Sequence, residues 1–131
     1  MKISRYRTDP ELESTGVWVE LGEGGSIKVA RMNNDKYRAM MRQVSKPYRR
    51  QLQLGVLDEE VARDLVNKCM AACVLLDWEG IEDDEGKAIK HSEEKALELL
   101  RDVPDFRAVV LEVASEMETF RAVEQEADEG N

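Results

Sequence analysis

The sequence predicts a mainly α domain of about four helices, with a small N-terminal β-hairpin and a short acidic hairpin loop between helices. Two patterns carry this expectation. Beyond residue 33, apolar residues return every three or four positions, the spacing that lines one helix face, and capping residues stand ahead of such runs. Residues 16–32 alternate in period two instead, as a half-buried strand requires. Composition is compatible with both patterns: 42% hydrophobic against 36% charged residues leaves enough apolar material for a core, and 131 residues suit one domain.

Residues 1–15 hold no sustained period and contain Pro10, so they read as an extended arm. "GVWVEL" (16–21) and "SIKVARM" (26–32) then put Val17, Val19 and Leu21 on one face, with Trp18 and Glu20 on the other. The intervening "GEGG" tolerates the positive φ of a tight hairpin turn. Asn33 and Asn34 are N-caps for a helix carrying Tyr37, Met40, Met41, Val44, Tyr48 and Leu52. Pro47 lies inside that pattern, so the helix must kink or restart there before Gly55 ends it.

Asp58 caps the next helix, whose Val61, Leu65, Cys69, Ala72 and Leu76 form one apolar stripe, with Leu57 stapled onto Ala62. Ser92, followed by Glu93 and Glu94, opens a third helix that Val103-Pro104 stops. Asp105 is expected to cap a fourth, with Phe106, Val110, Val113, Met117 and Phe120 on a heptad-like seam. That seam is too short for a coiled coil, which points to packing within the chain. The domain is therefore expected over residues 16–121, and residues 122–131 form an acidic tail expected to fray.

Between the second and third helices lies "LLDWEGIEDDEGKAIKHSEEKALELL" (75–100). A calcium-binding EF-hand loop needs an oxygen ligand at its first position and glycine at its sixth. With Gly86 or Gly80 as that glycine, the first position is Ile81 or Leu75, so both registers fail. A hairpin fits better: "WEGI" and "KAIK" are extended runs joined by "EDDEG", with Gly86 supplying a positive φ. Trp78 and Ile81 anchor it on the core. Exposed, Trp78 is a candidate contact for a partner; buried, it only pins the hairpin.

Catalytic patterns are missing from the sequence. "GEGG" joins strand to strand rather than strand to helix, and no Gly-Lys-Ser/Thr follows it. His91 is the only histidine, it reads as a surface residue, and no metal-ligand spacing or nucleophile elbow accompanies it. No enzyme activity, cofactor or metal is expected. Cys69 and Cys73 stand one turn apart on one predicted helix, where a rigid backbone disfavours a bridge, so both read as reduced, buried thiols. No stretch is apolar for long enough to span a membrane, and "MKISRYRTDP" lacks the apolar centre of a signal peptide. The expected address is the cytoplasm.

Charge is divided unevenly along the chain. Residues 1–76 carry 13 Lys/Arg against 10 Asp/Glu, whereas residues 77–131 carry 6 against 18, giving net charges of +3 and −12. This asymmetry suits contact between copies of the chain or an acidic face offered to a basic partner. Within the first part, Arg38, Arg42, Lys46 and Arg49 stripe one face if the helix runs through Pro47. A nucleic-acid-binding or regulatory role for this basic stretch, 36–50, is the alternative function. The chain's acidity, with a pI of about 4.7, and the lack of interleaved aromatics argue against it.

The order and wording of "WVELGEGGSIKVARMNN", "YRAMMRQVSKPYRR", "LLDWEGIEDDEGKAI", "SEEKALELLRDVPDFRAVVLEVA" and "METFR" resemble the tail assembly chaperones of long-tailed bacteriophages and their prophage remnants. The resemblance implies a small, mainly helical protein of the host cytoplasm, absent from the finished virion, that binds the tape measure protein and keeps its apolar helices from aggregating. It also implies help in bringing tail tube subunits to that client, through a longer frameshifted form; this chain, ending "EADEGN", corresponds to the short form. Such a chaperone needs apolar grooves and solubilising charge rather than a reactive side chain. Met32, Met40, Met41, Met70 and Met117 are candidates to line a groove, the alternative for each being an ordinary core residue. Trp78, Arg38, Arg42 and Arg49 complete the candidate partner-binding set, and a homo-oligomer held by opposed charge is expected.

Overall fold

The expected arrangement of about four helices with a small N-terminal β-hairpin and a short acidic hairpin loop is corrected by the structure, a computed structural model that describes residues 1–121. Among these residues there are six α-helices and a three-stranded antiparallel sheet. In chain order they are α1 (Pro10–Thr15), β1 (Val17–Gly22), β2 (Gly25–Val29), α2 (Asp35–Val44), α3 (Arg49–Leu54), α4 (Glu59–Cys73), β3 (Leu75–Glu79), α5 (Glu93–Asp102) and α6 (Pro104–Ser115). Short 3-10 turns occupy Ile3–Tyr6, Lys46–Tyr48 and Met117–Arg121. The predicted tail, 122–131, lies outside the described residues.

The hairpin forms in the expected register, with Val17 opposite Val29 and Val19 opposite Ile27. Its two turn residues, Glu23 and Gly24, take φ of 53° and 81°, the paired positive values that match the twist of the flanking strands. The addition is β3. The apolar stripe that predicts a helix to Leu76 breaks at Val74 (φ −124°, ψ −58°), and Leu75–Glu79 pairs antiparallel with β2, setting Ile27 against Trp78 and Val29 against Leu75. A short apolar run such as Val74-Leu75-Leu76 fits either period, so the unpaired edge of a buried strand decides it.

Ile27, Val29, Val74, Leu75, Cys69, Met70, Leu100, Val110 and Phe120 are fully buried and form the centre of the core. Helix α4 packs on α2, α5 and β3, while α6 packs on α5 and β2. Asn34 ties three backbone segments together. Its Oδ1 accepts from the Tyr37 amide at 2.9 Å, and its Nδ2 donates to the carbonyls of Arg31 (2.8 Å) and Cys73 (2.9 Å), so one side chain caps α2 and the end of α4.

Other termini follow local chemistry. Asp58 accepts from the amides of Glu60 and Val61, Ser92 accepts from Lys95, and Gly55 closes α3 at φ 68°. Pro47 divides the first predicted helix into α2, a 3-10 turn and α3. Asp105 does not cap α6: Val103 holds that position, and Pro104, whose fixed φ suits a first helical residue, starts the helix earlier. The heptad-like seam also breaks, because α6 ends at Ser115 and Glu116 is extended. Residues 1–15 are not simply extended. Asp9 caps α1, its amide donates to Phe120 O at 3.1 Å, and the Arg31 amide donates to Glu13 O at 2.8 Å.

Gly80 is the tightest backbone approach: at φ 69°, a Cβ there would stand 2.0 Å from the carbonyl oxygen of Gly24. Gly55 takes a similar φ with no neighbouring atom within 4 Å. Gly80→Ala is expected to cost more than about 2 kcal/mol of stability, through left-handed strain plus displacement of the hairpin turn. Gly55→Ala is expected to cost about 1 kcal/mol. Urea midpoints of the two variants check the difference.

Candidate partner-binding surface

Trp78 is only 5% exposed, which settles the alternative posed for it: it pins the acidic hairpin. Its Nε1 donates to Ile89 O at 2.7 Å, and its ring meets His91 edge-on with centroids 4.7 Å apart. The hairpin closes through Ile89 N to Ile81 O and Asp83 N to Lys87 O, both 2.8 Å, with Gly86 at φ 81°. The Asp83 carboxylate accepts from the amides of Glu85 and Lys87 at 2.9 Å, so this acid folds its own loop. His91 is half-buried rather than on the surface, with Nε2 3.3 Å from Leu75 O. Among the described residues, no three His, Cys, Asp or Glu side chains assemble as metal ligands.

The methionines do not form an open groove. Met70 is fully buried, and Met32, Met40 and Met41 are half-buried against the core, with Met40 Sδ 3.9 Å from Cys73 Sγ. Met117 is half-buried on the last 3-10 turn, a different element. Arg38, Arg42 and Arg49 are exposed, but the stripe is broken, since Arg49 follows the turn at Lys46–Tyr48. Arg38 pairs with Asp35 and donates to Asn33 O at 2.6 Å.

The surface that sequence reasoning missed is α3 and the residues after it. Every residue from 49 to 56 is exposed, including Leu52 (48%), Leu54 (64%) and Val56 (66%), and α3 packs chiefly on the 3-10 turn before it. A signal was present: Leu52, Leu54 and Val56 are spaced by two, so they cannot share one face of a helix. Arg42, Lys46, Arg49 and Arg50 are exposed too, so the end of α2 and α3 form a basic, apolar knob whose apolar side chains point in different directions. Such a surface can cover an apolar segment that carries acidic residues.

Both cysteines are free, Cys69 buried and Cys73 half-buried. Burial pushes the Cys69 thiol up to about 11, and the Cys73 thiol and Tyr37 hydroxyl are also raised, mainly by burial. The Arg101 guanidinium grips Asp64 at 2.6 and 2.7 Å and holds its carboxyl below the usual range. For the thiols, the unfolded chain loses its protons first, from about pH 8.5. Above that value the unfolded state binds fewer protons than the folded one, so stability falls as pH rises towards about 11. Urea midpoints from pH 8 to 11 should decline, and Cys69→Ala should lessen the slope.

No described helix is long and apolar enough to cross a membrane. No match to the chain was found among curated proteins or among solved structures. Residues 32–131 match the YdaY prophage protein family. That stretch holds α2 to α6 with β3, including the acidic hairpin and the α3 knob, and the chain belongs to the YdaY prophage protein family.

Proposed function

We propose that this prophage-family protein is a tail assembly chaperone that binds and solubilises a tape measure protein and helps bring tail tube subunits to it. Membership of a prophage family and the resemblance of residues 16–121 to such chaperones support the reading. The observation that carries it is the exposed α3 knob, where Leu52, Leu54 and Val56 stand in water beside Arg49 and Arg50. An apolar helix of the client that would otherwise aggregate gains a cover there, while the remaining charge keeps the complex dissolved. The protein acts by binding, without a catalytic side chain or cofactor, in the host cytoplasm, and does not remain in the finished virion. Tube subunits are recruited through a longer frameshifted form, and copies of the chain associate through their opposed charge.

Co-expression with the tape measure protein encoded nearby tests this reading. The client is expected in the soluble fraction, copurifying with several copies of this chain. Leu52→Asp combined with Leu54→Asp should leave the thermal midpoint unchanged, because both side chains are already exposed. Burying each leucine is worth about 1.5–3 kcal/mol, so client binding should weaken by about tenfold or more. A client that stays insoluble with the parent chain, while the chain retains nucleic acid in a salt-sensitive manner, would favour the basic-stretch alternative.

A further inference from the structure

We propose that the cleft where α4 meets the α5–α6 corner is a phosphate-binding site. Arg63, Asn67, Leu100, Arg101, Pro104 and Arg107 line a space of about 290 Å³. This is at the lower limit of about 300 Å³ for drug-sized ligands, so it suits a small group rather than a large cofactor. Three of its six lining residues are arginines and none is acidic, in a chain of net charge −9.

The arginines arrive from three helices. Arg63 and Asn67 are four apart on α4 and share a face; Arg101 lies in the last turn of α5 and Arg107 is the fourth residue of α6. Asn67 is 96% buried (4% exposed), and its Oδ1 accepts from Arg107 Nε at 2.6 Å, which fixes that guanidinium at the cleft. Asp64 holds Arg101 from one side through Nε and one terminal nitrogen. Among the described residues, Arg63 and Arg107 have no carboxylate partner. Asp102 and Asp105 flank the corner in sequence but are exposed and outside the lining. The α6 N-terminus has no side-chain cap, and Pro104, its first residue, brings the positive end of the helix dipole to the cleft without an N–H of its own. Several charged donors from separate elements suit the multiple oxygens of a phosphate better than the single edge of a carboxylate.

Calorimetric titration at fixed ionic strength tests the site with two probes, inorganic phosphate and a short DNA duplex. Arg63→Gln removes an exposed, unpaired guanidinium, and its fold is checked by the urea midpoint. Binding should weaken by about tenfold for the loss of one charge-assisted contact. Arg107→Lys, which keeps the charge but loses the fork, should also bind more weakly. Arg5→Gln, the same charge change on the exposed N-terminal 3-10 turn, should bind like the parent chain. Phosphate binding lost in Arg63→Gln supports a site for a free phosphate, and duplex binding alone lost in that variant supports a backbone phosphate. Absence of binding to both probes overturns the proposal, as does unchanged binding in Arg63→Gln or an equal loss in Arg5→Gln.

Discussion

Strand β2 is buried along its inner face, with Ile27 and Val29 fully inaccessible and Ala30 behind them. Its backbone amides and carbonyls point along both edges, and buried groups of that kind need partners. The hairpin satisfies one edge through β1; the other requires a second strand. Leu75–Glu79 supplies it, which obliges α4 to end at Cys73 and the chain to leave the helix in extended form. The seam is finished by Ala30 N donating to Val74 O at 2.9 Å and by Asn34 taking the Cys73 carbonyl. Placement of the acidic hairpin follows, since it begins where β3 ends and is pinned by Trp78.

Satisfying that strand also divides the apolar side chains between core and surface. The stripe of α4, the inner faces of α5 and α6, and Phe120 close the core, and they enlist Met32, Met40, Met41 and Met70 from the set of candidate groove residues. Helix α3 is left out, because Pro47 and Gly55 bound a segment too short to reach across the core. Its leucines therefore remain in water among arginines. A surface formed this way is stable without a partner and useful with one, which is the property a client-binding protein needs.

Positive charge is consequently gathered in two places of different character. Along α3 and the residues after it, exposed arginines adjoin exposed apolar side chains in sequence, a composition suited to a protein contact. At the α5–α6 corner they surround a buried asparagine and the start of a helix, an arrangement suited to a small anion. In net charge the acidic second half of the chain outweighs the basic first half, −12 against +3.

Much of this was legible in the residues alone, and the reasons for success and failure are physical. Asn34, Asp58 and Ser92 announced three helix starts because capping is a contact within a few residues, and Gly55, Gly86 and the β1–β2 turn were readable because positive φ is a local demand. The third strand was not, since Val74-Leu75-Leu76 fits both periods and only the unpaired edge of β2, some 45 residues earlier, makes it extended. Nor was the fate of Trp78, the methionines or α3, for burial depends on which faces meet. The sequence by itself determined where helices begin, where turns occur and how charge is distributed; tertiary structure decided strand pairing, burial and the convergence of Arg63, Arg101 and Arg107, because those depend on contacts between segments far apart in the chain.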